Sequence, residues 1–212
     1  TGMGKTYAVF LGALIRYIHN HPGDYLIKKN NGLQLIWISP LRALAKDIAR
    51  AMEEVIAELG MPWQVGIRNG DTPANERAKQ KKQMPEVLII TPESLHLLLA
   101  QKDYPNLFTK LSIIAVDEWH ELLGSKRGVQ VELALSRLVG LNKKSVVMSH
   151  ESLVDGEKSK VKSNEVNGLN AERSKPAYEL SNNNSPLCIW GISATIGNLE
   201  EAKAVLLSPL QT

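Results

Sequence analysis

A single cysteine, Cys188, stands among 212 residues, and it lies in an apolar run. One thiol supplies neither an intramolecular disulfide nor a cysteine-rich zinc framework. The residue therefore reads as a small core side chain in a reducing compartment, and a cytoplasmic protein is expected. No apolar run is long enough to cross a bilayer, and no signal-peptide pattern is visible, so no membrane partner is expected. The excess of one sign of charge over the other is small too. The net charge of +3 is compatible with a nucleic-acid partner without demanding one. What remains, 43% hydrophobic and 22% charged residues, is the composition of a soluble globular protein. The length allows one α/β domain with a real core.

Against that background the stretch Leu111 to Gln130, LSIIAVDEWHELLGSKRGVQ, stands out. It begins as an Ile- and Val-rich run, the pattern of a strand buried on both faces of a parallel sheet. The run stops at Asp117, Glu118, Trp119 and His120. Adjacent acids are costly inside a buried strand unless something uses their charge. At its carboxyl end they point into the crevice where α/β sheets bind ligands. One acid there can hold a metal ion while its neighbour handles a water molecule. Taken alone, the couplet is better explained by a strand that merely exits into a polar loop.

The opening residues, Thr1-Gly2-Met3-Gly4-Lys5-Thr6, decide between those readings. They match the back of the phosphate-binding pattern G-x-x-x-x-G-K-[ST]. The first position of that pattern would fall two residues before Thr1, so the chain is expected to be a fragment. Gly2 and Gly4 let the backbone pass close to phosphates with its N–H groups turned inward. Lys5 offers a point charge to the β- and γ-phosphates, and the Thr6 hydroxyl can ligate Mg²⁺. The helix that follows, TYAVFLGALIRYIHN, turns its amino end toward the same phosphates. A glycine turn before an ordinary helix competes with this reading of the hexapeptide. The downstream Asp-Glu strand rules against it.

Strand and helix patterns alternate along the rest. Buried strands are expected at Leu33 to Ser39, Glu86 to Ile90 and Leu187 to Ser193, with a short one at Trp63 to Arg68. Helices are expected at Leu41 to Leu59, closed by Gly60-Met61-Pro62, and at Ala74 to Gln83. Thr91 reads as an N-cap with Pro92 at the first helical position, the helix continuing to Gln101. Further helices are expected around Val129 to Leu141 and at Leu199 to Leu206. Such alternation specifies a mostly parallel sheet with helices on both faces. One segment interrupts it. Asn142 to Pro186 is polar and rich in Ser, Asn, Lys and Glu, with too little apolar content to offset the entropy of ordering it. It reads as a flexible surface insertion.

In order along the chain stand TGMGKT, SPLRALAKD (Ser39 to Asp47), NGDT (Asn69 to Thr72), TPESL (Thr91 to Leu95), VDEWH (Val116 to His120) and SAT (Ser193 to Thr195). The series resembles the first motor domain of a superfamily 2 DExH-box helicase. DEWHELLGSKRGVQ and WGISATIGNLEEA resemble more narrowly the large helicase-related family, especially its bacterial ligase-associated members. The likeness covers nearly everything except Asn142 to Pro186 and the linker near Pro22 to Gly32. It implies a P-loop NTPase (RecA-like) domain over residues 1–212, and an ATP-dependent DNA helicase or translocase of bacterial, repair-associated type.

The resemblance also implies roles. Gly2, Met3, Gly4, Lys5 and Thr6 would cradle ATP, with Thr6 and Asp117 holding its Mg²⁺. Glu118 would position the attacking water. His120 and the Ser193/Thr195 pair would link the nucleotide to the nucleic acid, although outside the family a loop histidine accounts for His120 as well. Pro40, Arg42, Gly70, Thr91 and Pro92 would line a track for single-stranded or partly duplex DNA. Trp119 suits packing better than base stacking, while Asp71 and Glu93 suit loop shaping, since neither can grip phosphate. Arg77, Lys79, Lys81 and Lys82 form a basic helix face that either attracts nucleic acid or is simply solvated. Lys126 and Arg127 match a family signature whose role the residues do not reveal. A second motor domain of the same protein would complete the site, so residues 1–212 alone are expected to hydrolyse ATP poorly. An RNA-remodelling ATPase and a non-catalytic nucleic-acid-binding module remain open beside this reading.

Overall fold

The computed structural model describes residues 3–157, 187–192 and 204–206, with the backbone alone for Met3 and for 142–157. Five short strands form one sheet: β1 (Leu35–Ile38), β2 (Val65–Arg68), β3 (Val87–Ile90), β4 (Ile113–Val116) and β5 (Cys188–Gly191). They run parallel in the order β2-β3-β1-β4-β5. The helices are α1 (Met3–Asn20), α2 (Ala45–Glu58), α3 (Ala74–Lys82), α4 (Pro92–Leu99), α5 (Tyr104–Leu107), α6 (Trp119–Leu122) and α7 (Lys126–Glu157).

The unbroken apolar strands are explained by two cores, one on each face. Ile36, Ile38, Leu88, Ile90, Ile114 and Val116 meet Leu95 and Leu98 of α4, Trp119 of α6, and Val131, Leu135 and Leu138 of α7. The alternate residues Leu35, Trp37, Val87, Ile89, Ile113 and Ala115 meet Phe10, Leu14 and Tyr17 of α1 and Ile48, Met52 and Ile56 of α2. Burying each Ile, Leu or Phe contributes about 1.5–3 kcal/mol. A ladder hydrogen bond adds roughly 1 kcal/mol net. Packing on both faces therefore dominates the stability of strands this short. The layered architecture expected from the alternating pattern is the one present.

Helix ends follow their sequence signals. Gly60, with φ +64°, follows α2 in the left-handed region that suits glycine. Its N–H bonds the Ala57 carbonyl at 3.1 Å, and the Met61 N–H bonds that of Ile56 at 3.1 Å. This pair of bonds is a Schellman closure. Thr91 caps α4, its hydroxyl accepting from the Ser94 N–H at 3.4 Å, and Pro92 opens the helix. Other elements differ from expectation. The chain after Pro40 makes a tight 3₁₀ turn at Arg42–Leu44 before α2 begins. The short helices α5 and α6 carry no long apolar period and were not foreseen. The backbone of α7 runs on to Glu157, past Leu141 and into the stretch read as an insertion. The rest of that stretch, 158–186, lies outside the described residues, as does most of the expected Leu199 to Leu206 helix, of which 204–206 are helical.

At the amino ends of the strands sits a buried polar knot. Glu86, 3% exposed, accepts from the Asn31 N–H at 3.0 Å and the Gln64 N–H at 2.9 Å. The Tyr17 hydroxyl donates to Asn31 Oδ1 at 2.7 Å, and burial pushes its pKa up to about 12.

Candidate nucleotide and nucleic-acid site

The direction of α1 is fixed by its contacts with β5. The Arg16 guanidinium donates to the Cys188 thiol at the start of β5. One turn earlier, a Cβ on Gly12 would lie 3.4 Å from the Trp190 ring. Moving backward along α1 is thus moving forward along the strand, so α1 runs antiparallel to the sheet. Its first turn, with half-buried Lys5 and buried Thr6, arrives at the carboxyl ends of β4 and β5. The amino end of α1 and the end of β4 therefore share one crest, the edge where ligands bind open α/β sheets.

Asp117 leaves β4 at that crest. Its N–H continues the ladder to the Ile38 carbonyl at 2.8 Å, and the residue is 8% exposed. Carboxylate Oδ1 accepts from the Glu118 N–H at 3.0 Å, and Oδ2 from the Trp37 indole N–H at 3.4 Å. Burial raises the Asp117 pKa above its ordinary value, opposed by the Trp37 hydrogen bond. The Glu118 charge adds to the rise, while the Glu118 N–H and the Lys5 charge act against it. Lys5 and Asp117 are thus electrostatic neighbours, and the ionised Asp117 is a group that gains from a further cation.

Glu118 is one of two non-glycine residues with positive φ among the described residues, at φ 49° and ψ 43°. A left-handed Glu costs roughly 1–2 kcal/mol relative to the ordinary helix region. The turn is held by its surroundings. Trp119, 1% exposed, anchors in the core, and its N–H bonds the Ile192 carbonyl at 3.0 Å. The Glu118 side chain is turned toward His120, whose Nδ1 lies 3.3 Å from Oε2. Trp119 is therefore a packing residue, as its sequence position suggested, and its anchoring swings the two polar neighbours outward.

A raised acid pKa has a measurable consequence. A group whose folded pKa lies above its unfolded value stabilises the fold fully below the unfolded pKa, near 3.8 for Asp117. That contribution is lost as pH rises through the folded pKa. The melting temperature of the parent minus that of Asp117→Asn is accordingly expected to fall as pH rises from the unfolded value through the raised folded one. A difference that rises with pH would contradict the burial argument.

The rim beside the crest gathers the segments expected to follow a nucleic acid. The Arg42 guanidinium lies 3.7 Å from Asp71 and covers Gly70, where a Cβ would meet it at 3.0–3.1 Å. Arg77 donates to the carbonyls of Asn69 at 3.1 Å and Gly70 at 3.0 Å. One member of the basic α3 face thus braces the Asn69–Thr72 loop. A cavity of about 480 Å³ opens between Arg42, Lys46, Asn69 and Thr72. Thr91 and Pro92 are buried, and the Thr91 hydroxyl is engaged in its cap. In this structure they shape the rim, and Arg42 and Gly70 form its exposed surface. Pro40 is buried as well. Gly2, Ser193 and Thr195 lie outside the described residues, as does the Met3 side chain.

Two residues at the crest, Trp37 and Ser125, were not singled out from the sequence, and Arg127 was noted there only as part of a signature without a role. Trp37 was read only as a strand residue, yet it holds Asp117. Ser125 caps α7, its hydroxyl accepting from the Gly128 N–H at 3.1 Å. Arg127 donates to Glu93 Oε1 at 2.7 Å and to the Pro40 carbonyl at 3.5 Å. The Ser-x-x-Gly spacing before an apolar helix was the one available signal, and it concerns only the cap.

Comparison with known proteins agrees with this geometry. The Lhr helicase/uracil glycosylase of Escherichia coli is 38% identical over 152 residues, which is 66% of this chain and 10% of that protein. The ATP-dependent helicase Lhr-Core of Sulfolobus acidocaldarius is 38% identical over 134 residues, 60% of this chain and 15% of the relative. The chain thus spans about a tenth to a seventh of the length of these relatives. A structure of the Mycobacterium smegmatis helicase Lhr bound to ssDNA and AMP-PNP superposes with a TM-score of 0.61 at 29% identity, over 96% of this chain and 21% of that one. The family model for DEAD/DEAH box helicases matches residues 1–150, well over half of the sequence. With a parallel sheet, a lysine-bearing first helix turn and an Asp-Glu crest in the expected places, the chain belongs to the DEAD/DEAH box helicase family.

Proposed function

We propose that the chain is the nucleotide-binding motor domain of an ATP-dependent DNA helicase or translocase, coupling ATP hydrolysis to movement on single-stranded DNA. The observation that carries this reading is the meeting of Lys5, Asp117 and Glu118 at one edge of a parallel sheet. The exposed Arg42–Gly70 rim lies beside that edge. Mg²⁺ carried in with the triphosphate supplies charge neutralisation of the phosphoryl oxygens. Thr6 and Asp117 fit it by chemistry, since a hydroxyl and a carboxylate are both hard oxygen donors. Among the described residues no group of three or more His, Cys, Asp or Glu is placed to hold a metal ion. A cation held by Thr6 and Asp117 would share its coordination with oxygens of the nucleotide. Lys5 would then hold the β- and γ-phosphates, and Glu118 would orient and polarise the attacking water. Phosphoryl transfer asks little more of a protein than such positioning and charge.

His120, beside Glu118, together with Ser193 and Thr195, would pass the state of the nucleotide to the strand-holding side. Arg42, Gly70 and the turn after Pro40 would grip the phosphodiester backbone without reading bases. A second motor domain would close over the nucleotide. The Mycobacterium smegmatis Lhr complex, which holds ssDNA and AMP-PNP together, supports this pairing of ligands. The test is ATP hydrolysis by the full-length protein with single-stranded DNA or single-stranded RNA. Stimulation by DNA is expected. Stronger stimulation by RNA would favour an RNA-remodelling ATPase, and no hydrolysis with either would leave only a binding module.

A further inference from the structure

Arg127 lies far in sequence from both of its partners, yet three segments of the crest meet at its side chain. Glu93 sits in the first turn of α4, directly after the Thr91 cap. Pro40 follows β1 and precedes the turn that carries Arg42. Arg127 itself belongs to the first turn of α7, immediately after the turn that begins at Glu118. Its backbone is firmly placed. The Ser125 hydroxyl donates to the Leu122 carbonyl at 2.7 Å while receiving the Gly128 N–H. Gly128 in turn lies so close beneath Leu122 that no Cβ fits.

The guanidinium reaches out from this fixed base. It donates through Nε to Glu93 and through a terminal nitrogen to the Pro40 carbonyl. A planar, always-charged fork suits such a double contact, and a lysine could not reproduce both bonds in one geometry. The contact favours the ionised form of Glu93. Burial alone would raise its pKa, but hydrogen bonds from its own amide and from Arg127, with the Arg127 charge, lower it below the ordinary value.

We propose that Arg127 is a positioning residue that sets the spacing of the Pro40–Arg42 and Thr91–Glu93 segments and ties both to the Asp117–Glu118 turn. The proposal rests on the motor reading given above and assigns a part in it to the Lys126-Arg127 signature. Arg127 need not touch the nucleic acid. A strand pressing on either segment would act on the guanidinium, and through the α6–α7 turn on the backbone of Glu118.

The experiment measures ATP hydrolysis by the full-length protein against the concentration of single-stranded DNA, for the parent, Arg127→Gln, Arg127→Lys, Glu93→Arg and the Glu93→Arg/Arg127→Glu exchange. For Arg127→Gln the half-saturating DNA concentration is expected to rise about tenfold, with a smaller change in the rate at saturating DNA. Arg127→Lys is expected to recover only part of the loss, and the exchange to outperform Glu93→Arg alone. Melting temperatures identify any variant that fails to fold. An unchanged half-saturating concentration in folded Arg127→Gln overturns the proposal, as does an exchange no better than Glu93→Arg. A parent protein indifferent to DNA would overturn the motor reading, and this inference with it.

Discussion

Glu118→Gln in the full-length protein is expected to lower DNA-stimulated ATP hydrolysis by about 10²–10⁴-fold, the range for removing a group that handles a proton or a water in the reaction. The substitution keeps the volume and one oxygen of the side chain, and it leaves the backbone of the turn alone. That backbone is held by Trp119 in the core and by its bond to Ile192, neither of which depends on the Glu118 carboxylate. Melting temperature and ATP affinity are therefore expected to stay near those of the parent while turnover collapses. Phosphate release measured beside nucleotide binding separates the two effects. A loss of less than about tenfold would remove Glu118 from the chemistry.

Gly128→Ala is expected to be the most damaging single methyl group in the described fold. A Cβ there would lie 2.0 Å from the Leu122 carbonyl oxygen and 2.9 Å from its carbon. These are backbone atoms, and no rotamer change relieves such a contact. Either α6 or the first turn of α7 must move, and the Ser125 cap on the Gly128 N–H goes with it. Overpacking costs roughly 1–3 kcal/mol and a lost cap about 1 kcal/mol. A total near 3 kcal/mol corresponds to a fall in Tm of about 6–12 °C for a chain of this size. Gly140→Ala, in the same helix with nothing within 4 Å of the new Cβ, is the control. It is expected to be neutral or stabilising, by up to about 1 kcal/mol. Equal effects at the two positions would refute the steric argument.

The strands, the main helices and their stops were legible because they are written in local patterns. An apolar run of Ile and Val announces a strand buried on both faces, Gly60 a helix end, and Thr91-Pro92 a helix start. Lys5 and Asp117 could be put forward as candidates because phosphate and metal chemistry restrict the residue types that can serve it, and the fold places them as electrostatic neighbours. The contacts that set the site's geometry left no such trace. Trp37 and Asp117 are 80 residues apart and Arg127 and Pro40 are 87 apart, so no period links them. The left-handed turn at Glu118 is imposed by packing around Trp119, against the preference of the residue itself. Thr91 shows the same limit from the other side. Its hydroxyl could be assigned to a cap or to a phosphate from sequence, and only the fold shows it buried in the cap. Helix α7 runs past its expected end at Leu141, its backbone continuing to Glu157.

The sheet has two unlike ends. The acids, the lysine and the rim stand at the carboxyl ends of the strands, and Glu86, Asn31 and Tyr17 close the amino ends with their own hydrogen bonds. A fluorescent label or a surface tether attached near exposed Lys29 would stand across the whole depth of the sheet from the crest. Immobilised from that side, the molecule offers its working edge to solution, the orientation a single-molecule assay of movement along a strand requires.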